Sequence, residues 1–418
     1  MKKLPTLSGT FSALKLPFFR YFYIGQMVSL IGTWARTAAV GWLAFQLTHS
    51  RLLLGVTFTL NTLPPLFISA YAGTLADRLP RLGIFKTTTW FAFASSALIA
   101  VLDFTGHLSY SLLALFSLLW GLASAFEMPA RQSLMVELVG PKELVNAISL
   151  NSAMVNVARV IGPSVGGLLM ARVGAAWCFL LDALSFLAVA YALGLIRLAT
   201  PEKPSHPRRG AAQEVWRYLL ERPVLSRTMG LILVVSAGGW SYISQTAAFT
   251  AENLGGSAWD YGWLLGLGGL GSCLAALYIA SGGRDHIRES NLYWGIGQFV
   301  FFILLFGFQH QILPAALLLF GATFGLTLFF SSSNSLLQTS TPNEMRGRVM
   351  GIWASFFGGG MPLGSLALGW AASRWGSGPA LQLGGIFCLL GCLLVLAVFR
   401  GKGKSTAGSQ NLKSPSDV

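Results

Sequence analysis

Long apolar segments separated by short polar connections dominate the pattern of this chain. The hydrocarbon core of a bilayer is about 30 Å thick, so a helix that crosses it needs roughly 20 apolar residues. Twelve windows of the sequence meet this requirement, at residues 22–47, 52–76, 83–104, 109–128, 143–171, 175–198, 226–251, 259–281, 290–309, 312–335, 345–373 and 378–399. The pattern therefore predicts an all-α membrane protein with twelve transmembrane helices.

One long polar connection divides the predicted helices into two sets of six. The segment 199–227 is rich in Pro and Arg and predicts a cytoplasmic linker, with a short amphipathic helix near residues 214–221. It separates an N-terminal half, 1–198, from a C-terminal half, 228–400. The tail, 401–418, is rich in Gly, Lys and Ser, which predicts a disordered cytoplasmic segment.

An internal repeat relates the two halves. The fifth helix opens with Pro141-Lys-Glu-Leu and the eleventh with Pro342-Asn-Glu-Met. Pro163 and Pro362 then fall at matching places, and both helices end in an Arg-x-Gly sequence. Halves related in parallel orientation are a known transporter architecture, so the repeat predicts two pseudo-symmetric six-helix bundles.

Charge supports this topology. Only 11% of residues are charged, against 54% hydrophobic, and the mean hydropathy is +0.61. Most basic residues fall at one end of the predicted helices, whereas Arg51, Arg172 and Arg374 fall at the other. The positive-inside rule then predicts a multi-pass protein of the cell (inner, cytoplasmic) membrane with both termini cytoplasmic. The net charge of +14 is explained by topology and contact with anionic lipids, without nucleic acid.

The sequence shows no pattern typical of an enzyme, a metal site or a cofactor site. The four cysteines lie in apolar windows and the five histidines in predicted loops. The run Gly401–Thr406 resembles the end of a nucleotide-binding loop, but Val398 replaces its leading glycine and no strand precedes it. Energy for transport is therefore expected from an ion gradient, the substrate's own gradient or another subunit.

Polar residues recur at helical spacing within several windows, which places them on shared helix faces. In the first helix the line is Gln26, Ser29, Thr33 and Arg36. Similar lines occur in the fourth, fifth, seventh and tenth helices. From these lines, and from the second helix, the candidate pathway for substrate and protons consists of Arg36, Asn61, Glu127, Asn156, Arg159, Gln245 and Gln338.

Arg36 and Arg159 are the most informative of these residues. A charge at the bilayer centre costs roughly 2.5–3.5 kcal/mol even on the lenient insertion scale, so each arginine should face water, a carboxylate or an anionic substrate. Glu127 is a possible partner or proton carrier, although it could simply pair with Arg131 one turn away. For Asp182, in the sixth helix, interfacial solvation or helix pairing is the simpler interpretation.

The loop after the second helix reads Gly73-Thr-Leu-Ala-Asp77-Arg78-Leu-Pro80-Arg81. Its residues alone are compatible with a charged, solvated loop or with a gate whose contacts form in one conformation only. The segment resembles the signature loop of the major facilitator superfamily, with Pro80 in place of a glycine. The resemblance implies the major facilitator fold and a gating role for Asp77 and Arg78 near the eleventh helix.

The fifth helix contains Gly162, Pro163, Gly166 and Gly167, in a run that resembles the antiporter motif of proton-coupled drug exporters. Ala158 replaces an upstream glycine of that motif. The alternative is a close-packed, kinked helix of the kind found in any facilitator. Further segments of the first half are Gly32-Thr-Trp34, Gly41-Trp42-Leu, Leu47-Thr-x-Ser50 and Pro129-Ala-Arg131-Gln132. They are similar to the branch that contains the enterobactin exporter and related efflux proteins. This resemblance implies alternating access and outward export.

Together these observations predict a proton-coupled exporter of a small amphipathic or anionic molecule, such as a siderophore or drug, working as a monomer in contact with membrane lipids. Protonation of Glu127 or Asp182 would bias the inward–outward equilibrium, while Arg36 and Arg159 attract substrate oxygens. Two alternatives use the same scaffold, namely uptake and the flipping of lipids or lysophospholipids. From a different class, the chain could be a membrane sensor that moves nothing.

Overall fold

The computed structural model describes residues 12–76, 80–196, 211–281 and 289–400. Within these ranges the chain is helical and contains no β-strand. Twelve long helices follow one another along the chain, together with a short linker helix, Ala211–Leu220, between the sixth and the seventh. They are α1 (Pro17–Thr48), α2 (Arg51–Ala76), α3 (Arg81–Phe104), α4 (Tyr110–Gly140), α5 (Lys142–Arg172), α6 (Ala176–Leu195), α7 (Pro223–Glu252), α8 (Ala258–Ser281), α9 (Glu289–Phe306), α10 (Ile312–Ser340), α11 (Asn343–Trp375) and α12 (Ser377–Arg400).

Helices α4 and α5 meet at a kink formed by Gly140 and Pro141. Gly140 has φ 66° and ψ 176°, a conformation that glycine adopts without a steric penalty, and Pro141 follows it. Helix α4 is longer than its apolar window, which ended at residue 128. The extra turns carry charged residues such as Arg131 and Glu137. Charged residues fall outside an apolar window, but here they continue the helix.

Length and composition make these helices suited to a membrane. In the described part of the chain, nine segments are both long enough and apolar enough to cross a bilayer. The three long helices outside that set are α1, α9 and α11. Large apolar side chains also project outward, including Trp294 (73% exposed), Phe67 (72%) and Tyr191 (72%). An apolar exterior of this extent requires lipid rather than water around it.

The apolar cores follow the division into halves. One buried cluster is built by α7–α12 and the linker helix, whose Val215 and Leu219 are buried in it. Two other clusters are built mainly by α1–α6, and one of them extends across to Ala247 and Tyr261 of the second half. The linker helix therefore packs with the C-terminal half. The predicted tail 401–418 and the first part of the linker lie outside the described residues.

We call the end of the bundle with the α1–α2 turn the outer end, and the end with the α4–α5 junction the inner end. At the outer end the backbones of the two halves approach closely at glycines. A β-carbon at Gly55 of α2 would lie 3.0 Å from the Cα of Gly369 in α11. A β-carbon at Gly167 of α5 would lie 2.7 Å from the Cα of Gly262 in α8. The outer ends of the halves are thus in direct contact.

Polar contacts join the halves at the same end. Arg51 of α2 forms an ion pair of 2.6 Å with Glu252 of α7 and donates to the carbonyl of Ala372 in α11 at 3.2 Å. The side-chain amide of Gln245 donates to the carbonyl of Arg51 at 3.3 Å, and within the C-terminal half Ser377 donates to Glu252 at 3.3 Å. The structure therefore shows a closed outer end.

Candidate transport site

A cavity of about 230 Å³ lies within the N-terminal half, between α1, α2, α3, α4 and α6. Its wall contains the polar lines of the first and fourth helices. The polar and charged lining residues are Gln26, Ser29, Thr33, Arg36, Thr37, Thr57, Asn61, Ser117, Trp120, Ser124, Glu127 and Arg131. A polar cavity among membrane-spanning helices is a candidate place for a transported molecule or ion.

The exposure of its charged side chains shows how the cavity is oriented. The side chain of Arg36 is 11% exposed, that of Arg131 is 18% exposed and that of Glu127 is 30% exposed. Arg131 and Glu127 lie towards the inner end of α4, whereas Arg36 lies deeper in the bundle. Both side chains towards the inner end are therefore more exposed than Arg36, and they lie on the side opposite the closed outer end.

Asp182 of α6 is the counter-ion of Arg36. The Arg36 Nε lies 2.8 Å from one Asp182 carboxylate oxygen, and the carboxylate is fully buried. Ser96 of α3 donates to the same oxygen at 2.7 Å, and Thr33 of α1 donates to the other at 3.1 Å. A buried ion pair needs additional hydrogen bonds of this kind to offset its desolvation. Three helices thus share one neutralised charge pair.

An aromatic ring fixes the guanidinium from its other side. The Arg36 guanidinium carbon lies 3.9 Å from the centroid of the Trp120 ring, a close cation–π contact. The Trp120 indole N–H donates to Ser95 at 2.9 Å, and its ring stacks near that of Phe179 at 6.3 Å. Arg36 is therefore held between a carboxylate and a fixed ring, with its remaining surface in the cavity.

Small residues in α1 allow α6 to come close enough for this pairing. A β-carbon at Gly32 would lie 3.0 Å from the Cα of Asp182 and 2.7 Å from the hydroxyl of Ser185. Small residues at such crossings let membrane helices approach closely. The sequence Gly32-Thr33 therefore supplies both the close approach and one hydrogen-bond donor to Asp182.

Arg159 has a different environment, at the interface of the two halves. Its guanidinium carbon lies 5.4 Å from the ring centroid of Trp34 in α1 and 5.1 Å from that of Trp240 in α7. Among the described residues it forms no ion pair, and its buried Nε has no hydrogen-bond partner. A cavity of about 20 Å³ lies beside it. Thr37 and Phe58 line both this cavity and the larger one, so the two are adjacent.

Glu127 pairs within its own helix, at 3.8 Å from Arg131, and Arg131 also donates to Gln26 at 3.2 Å. This is the local pairing that the sequence left open as an alternative. The side-chain amide of Asn61 donates to the carbonyl of Ser117 at 3.2 Å, which places it in the cavity wall between α2 and α4.

The remaining pathway candidates lie away from this cavity. Asn156 donates to the carbonyl of Ser152 in its own helix at 2.9 Å. Gln245 is fully buried at the closed outer end, where it contacts Arg51. Gln338 is exposed near the inner end of α10 and donates to Asn334 at 2.7 Å. The structure therefore does not bring these three side chains together with Arg36.

The predicted gating loop is only partly described. Gly73 lies in the last turns of α2, and Arg81, which begins α3, forms an ion pair with Glu137 at the inner end of α4. Asp77 and Arg78 lie outside the described residues. The gating role of this loop stays a prediction.

The antiporter-like glycines pack α5 against two different helices. A β-carbon at Gly162 would lie 2.4 Å from the Cβ of Trp34, and one at Gly166 would lie 3.0 Å from the carbonyl oxygen of Ala35, both in α1. Gly167 instead meets Gly262 of α8, and the carbonyl oxygen of Pro163 lies against the same glycine. The motif therefore joins α5 to its own half and to the opposite half.

Two features of the site were not assigned from the sequence. The sequence predicts helix pairing or a proton-carrier role for Asp182, but it does not identify the residue that pairs with this carboxylate. The signal was present, because a buried charge in an apolar helix without an opposite charge one turn away needs a partner on another helix. The contact of Trp34 and Trp240 with Arg159 could not be predicted from the sequence pattern, since these residues lie far apart along the chain.

Fold and site together define a membrane transporter of the major facilitator class rather than an enzyme. Residues 8–416 match the family described as transmembrane secretion effector, and the chain belongs to this family. It is 30% identical over 401 residues to the enterobactin exporter EntS of Shigella flexneri, covering 92% of this chain and 93% of that protein. It is 24% identical over 387 residues to the staphyloferrin A transporter of Staphylococcus aureus (strain NCTC 8325 / PS 47), covering 91% and 95%.

Solved structures share the fold. The nucleoside transporter NupG aligns with a TM-score of 0.74 and 11% sequence identity, covering 92% of this chain and 99% of that one. A bacterial homologue of the human lysosomal transporter Spinster, in an inward-facing and unoccupied conformation, aligns with a TM-score of 0.72 and 14% identity. That alignment covers 92% of this chain and 97% of the homologue. The predicted major facilitator fold is confirmed.

Proposed function

We propose that this protein is a proton-coupled exporter of a small anionic or amphipathic molecule, such as a siderophore, and that it works by alternating access. The observation that carries the proposal is the polar cavity beside the Arg36–Asp182 pair, whose charged side chains on the inner side are more exposed than Arg36 while the outer end is closed. We place the inner end, with both termini, in the cytoplasm of a cell whose inner membrane holds the protein.

Alternating access requires the cavity to reach one side of the membrane at a time. In the described conformation the contacts of Arg51, Glu252, Gly167 and Gly262 hold the outer ends together. With the inner end in the cytoplasm, this is an inward-facing state. In the opposite state these contacts separate, and the gating loop Gly73–Arg81 closes the inner end. Both cavities are built by one chain, so we assign transport to a monomer.

Proton coupling is assigned to Asp182 in preference to Glu127. A proton on Asp182 would remove the negative charge that balances Arg36, inside a site that holds the carboxylate fully buried. Because the pair joins α1 to α6 and to α3, its loss changes how three helices pack. Glu127 is partly exposed and its ion pair is with Arg131 on the same helix, so its protonation would change the packing between helices less.

Substrate binding is assigned mainly to Arg159 and to the cavity wall. Arg36 is already neutralised by Asp182, whereas Arg159 has no carboxylate partner among the described residues. An arginine stays protonated, so an anionic group of a substrate would complete its environment. The names of two relatives, an enterobactin exporter and a staphyloferrin A transporter, support a siderophore as the transported molecule.

The proposal is tested in everted membrane vesicles with a panel of labelled siderophores and dyes. Respiration acidifies the vesicle lumen, and an exported substrate should then accumulate inside while protons leave, which a lumenal pH dye records. Vesicles without the protein are the control. The proposal is contradicted if no compound of the panel accumulates and no protons are released. Accumulation without proton release would contradict only the proton coupling.

A further inference from the structure

A group of aromatic rings lies beside Arg159 on the side of the C-terminal half. Trp240 of α7 has its ring centroid 5.8 Å from that of Phe357 in α11 and 5.9 Å from that of Phe330 in α10. Phe357 in turn stacks on Trp353 at 5.2 Å, with an angle of 3° between the rings. We call Trp240, Phe330, Trp353 and Phe357 the aromatic wall. Three helices of the C-terminal half contribute to it.

The wall is not a closed core. Trp240, Trp353 and Phe357 are each partly exposed, whereas Phe330 behind them is buried. Trp353 donates its indole N–H to Ser333 at 3.4 Å, which fixes the ring. Ordered rings that keep part of their surface accessible are suited to stacking with another flat ring.

The charge of Arg159 is incompletely balanced. Two tryptophan rings offset part of the cost of placing this charge within the membrane, but neither ring carries a formal negative charge or a hydrogen-bond acceptor comparable to a carboxylate. Its buried Nε also has no hydrogen-bond partner in the described part of the chain. An anion at this position would supply both the missing charge and the missing acceptor.

The two rings that contact Arg159 belong to opposite halves. Trp34 is on α1 and Trp240 is on α7, and the cavity between them, about 20 Å³, has room for about one water molecule. A rotation that separates the halves at this point therefore moves Trp240 away from the guanidinium and widens this space. The adjoining larger cavity shares Thr37 and Phe58 with it and therefore borders the same space.

From these contacts we infer that Arg159 and the aromatic wall form a binding subsite for an aromatic anion, a flat ring that carries a carboxylate or phenolate. The anionic group binds Arg159 from the N-terminal half, while the ring stacks on Trp240 and its neighbours in the C-terminal half. The inference rests on the proposed transport function and adds to it the chemistry that selects the substrate. An aliphatic polycarboxylate would use Arg159 alone.

Three small probe molecules separate the contribution of the aromatic ring to binding from that of the negative charge. Benzoate has the ring and the charge, cyclohexanecarboxylate has the charge without the aromatic ring, and benzamide has the ring without the charge. Their binding to the purified protein in lipid nanodiscs is measured by ligand-observed NMR with titration. Benzoate should bind about threefold to tenfold more tightly than cyclohexanecarboxylate, as expected for one ring–ring contact. It should also bind more tightly than benzamide.

Variants then locate the subsite. Trp240→Leu should remove the preference for benzoate over cyclohexanecarboxylate, whereas Trp240→Phe keeps it. Arg159→Gln should remove the preference for benzoate over benzamide. Trp294→Leu, which changes a tryptophan that is 73% exposed on the outside of the bundle, is the matched control and should change neither preference.

Equal binding of benzoate and cyclohexanecarboxylate to the unmodified protein would overturn the inference, and this result does not depend on any variant folding. An unchanged preference in folded Trp240→Leu would also overturn it. The binding titration does not depend on transport. The proposed function is tested separately by the vesicle assay, where it would be contradicted if no substrate is moved.

Discussion

At the scale of single residues, the two buried arginines differ in what balances their charge. Arg36 is paired with Asp182 and covered by Trp120, so the N-terminal half holds a neutral pair. Arg159 is covered by two rings and has no carboxylate partner within the described residues. The same residue type is thus neutralised by a carboxylate in one place and packed against two aromatic rings in the other.

The Arg36–Asp182 pair predicts a specific pattern of stability. Asp182→Asn leaves a buried, uncompensated arginine, which typically costs about 3–5 kcal/mol. Arg36→Gln leaves the carboxylate alone and should cost a similar amount. The double variant, which carries no charge, should recover most of the lost stability. Denaturant unfolding in detergent, followed by tryptophan fluorescence, measures all four proteins; a double variant that loses the sum of both single losses would contradict the pairing.

Comparison of two carboxylates identifies the proton carrier. Glu127→Gln removes a partly exposed carboxylate whose ion pair with Arg131 is worth less than about 1 kcal/mol, so substrate-driven proton release in vesicles should persist. Asp182→Asn should abolish proton release. Proton release that survives in Asp182→Asn but disappears in Glu127→Gln would reverse the assignment.

At the scale of helices, the glycines of α5 have two separate roles. Gly162 and Gly166 meet α1 within the N-terminal half, and that contact does not need to change during transport. Gly167 meets Gly262 across the interface of the halves, at the closed outer end. The antiporter-like motif therefore contains one glycine whose contact must break when the outer end opens.

A matched pair of alanine variants tests this distinction. In Gly167→Ala the new β-carbon would lie 2.7 Å from the Cα of Gly262, so the outer ends should separate and the outward-open state should become more populated. Labelling of Ser365→Cys, which is buried at the α2–α11 contact, by an impermeant maleimide should then become faster. The labelling is done in a background from which the four native cysteines have been removed.

Gly162→Ala is the control for this prediction. Its β-carbon would press on Trp34 within one half, which should lower stability without opening the outer end. If labelling is equally fast in both alanine variants, the distinction between the two glycine contacts is wrong.

Loss of the Arg51–Glu252 ion pair at the outer end should increase maleimide labelling of Ser365→Cys less than Gly167→Ala does. Arg51 and Glu252 are each about one-third exposed, so their pair should contribute no more than about 1 kcal/mol to closure. Arg51→Glu should increase Ser365→Cys labelling by up to about fivefold, and the charge-swapped pair Arg51→Glu/Glu252→Arg should restore part of the protection. No difference between the single and the swapped variants would show that the pair does not hold this end closed.

At the scale of the whole molecule, hydropathy predicts the number and order of the long helices because each apolar window must cross the same thickness of lipid. It underestimates α4, whose inner turns carry charge and continue into water. The polar lines of the first and fourth helices could be read from spacing alone. The pairing of Arg36 with Asp182 could not, since it depends on how closely α1 packs against α6.

The two halves share a fold but differ in chemistry. The larger cavity lies in the N-terminal half and is lined by charged and hydroxyl side chains, whereas the C-terminal half presents the aromatic wall beside Arg159. The sequence repeat could not show this difference, because it records the shared fold and not the side chains that face the interface.

Reversible locking of the outer end tests alternating access most directly. Cysteines at Arg51→Cys and Glu252→Cys, in a protein without its four native cysteines, are joined across the halves by a reducible bis-methanethiosulfonate reagent. Export of a labelled siderophore into everted vesicles should stop when the outer end is joined and return after reduction. Export that continues at the full rate with the outer end joined would contradict the account.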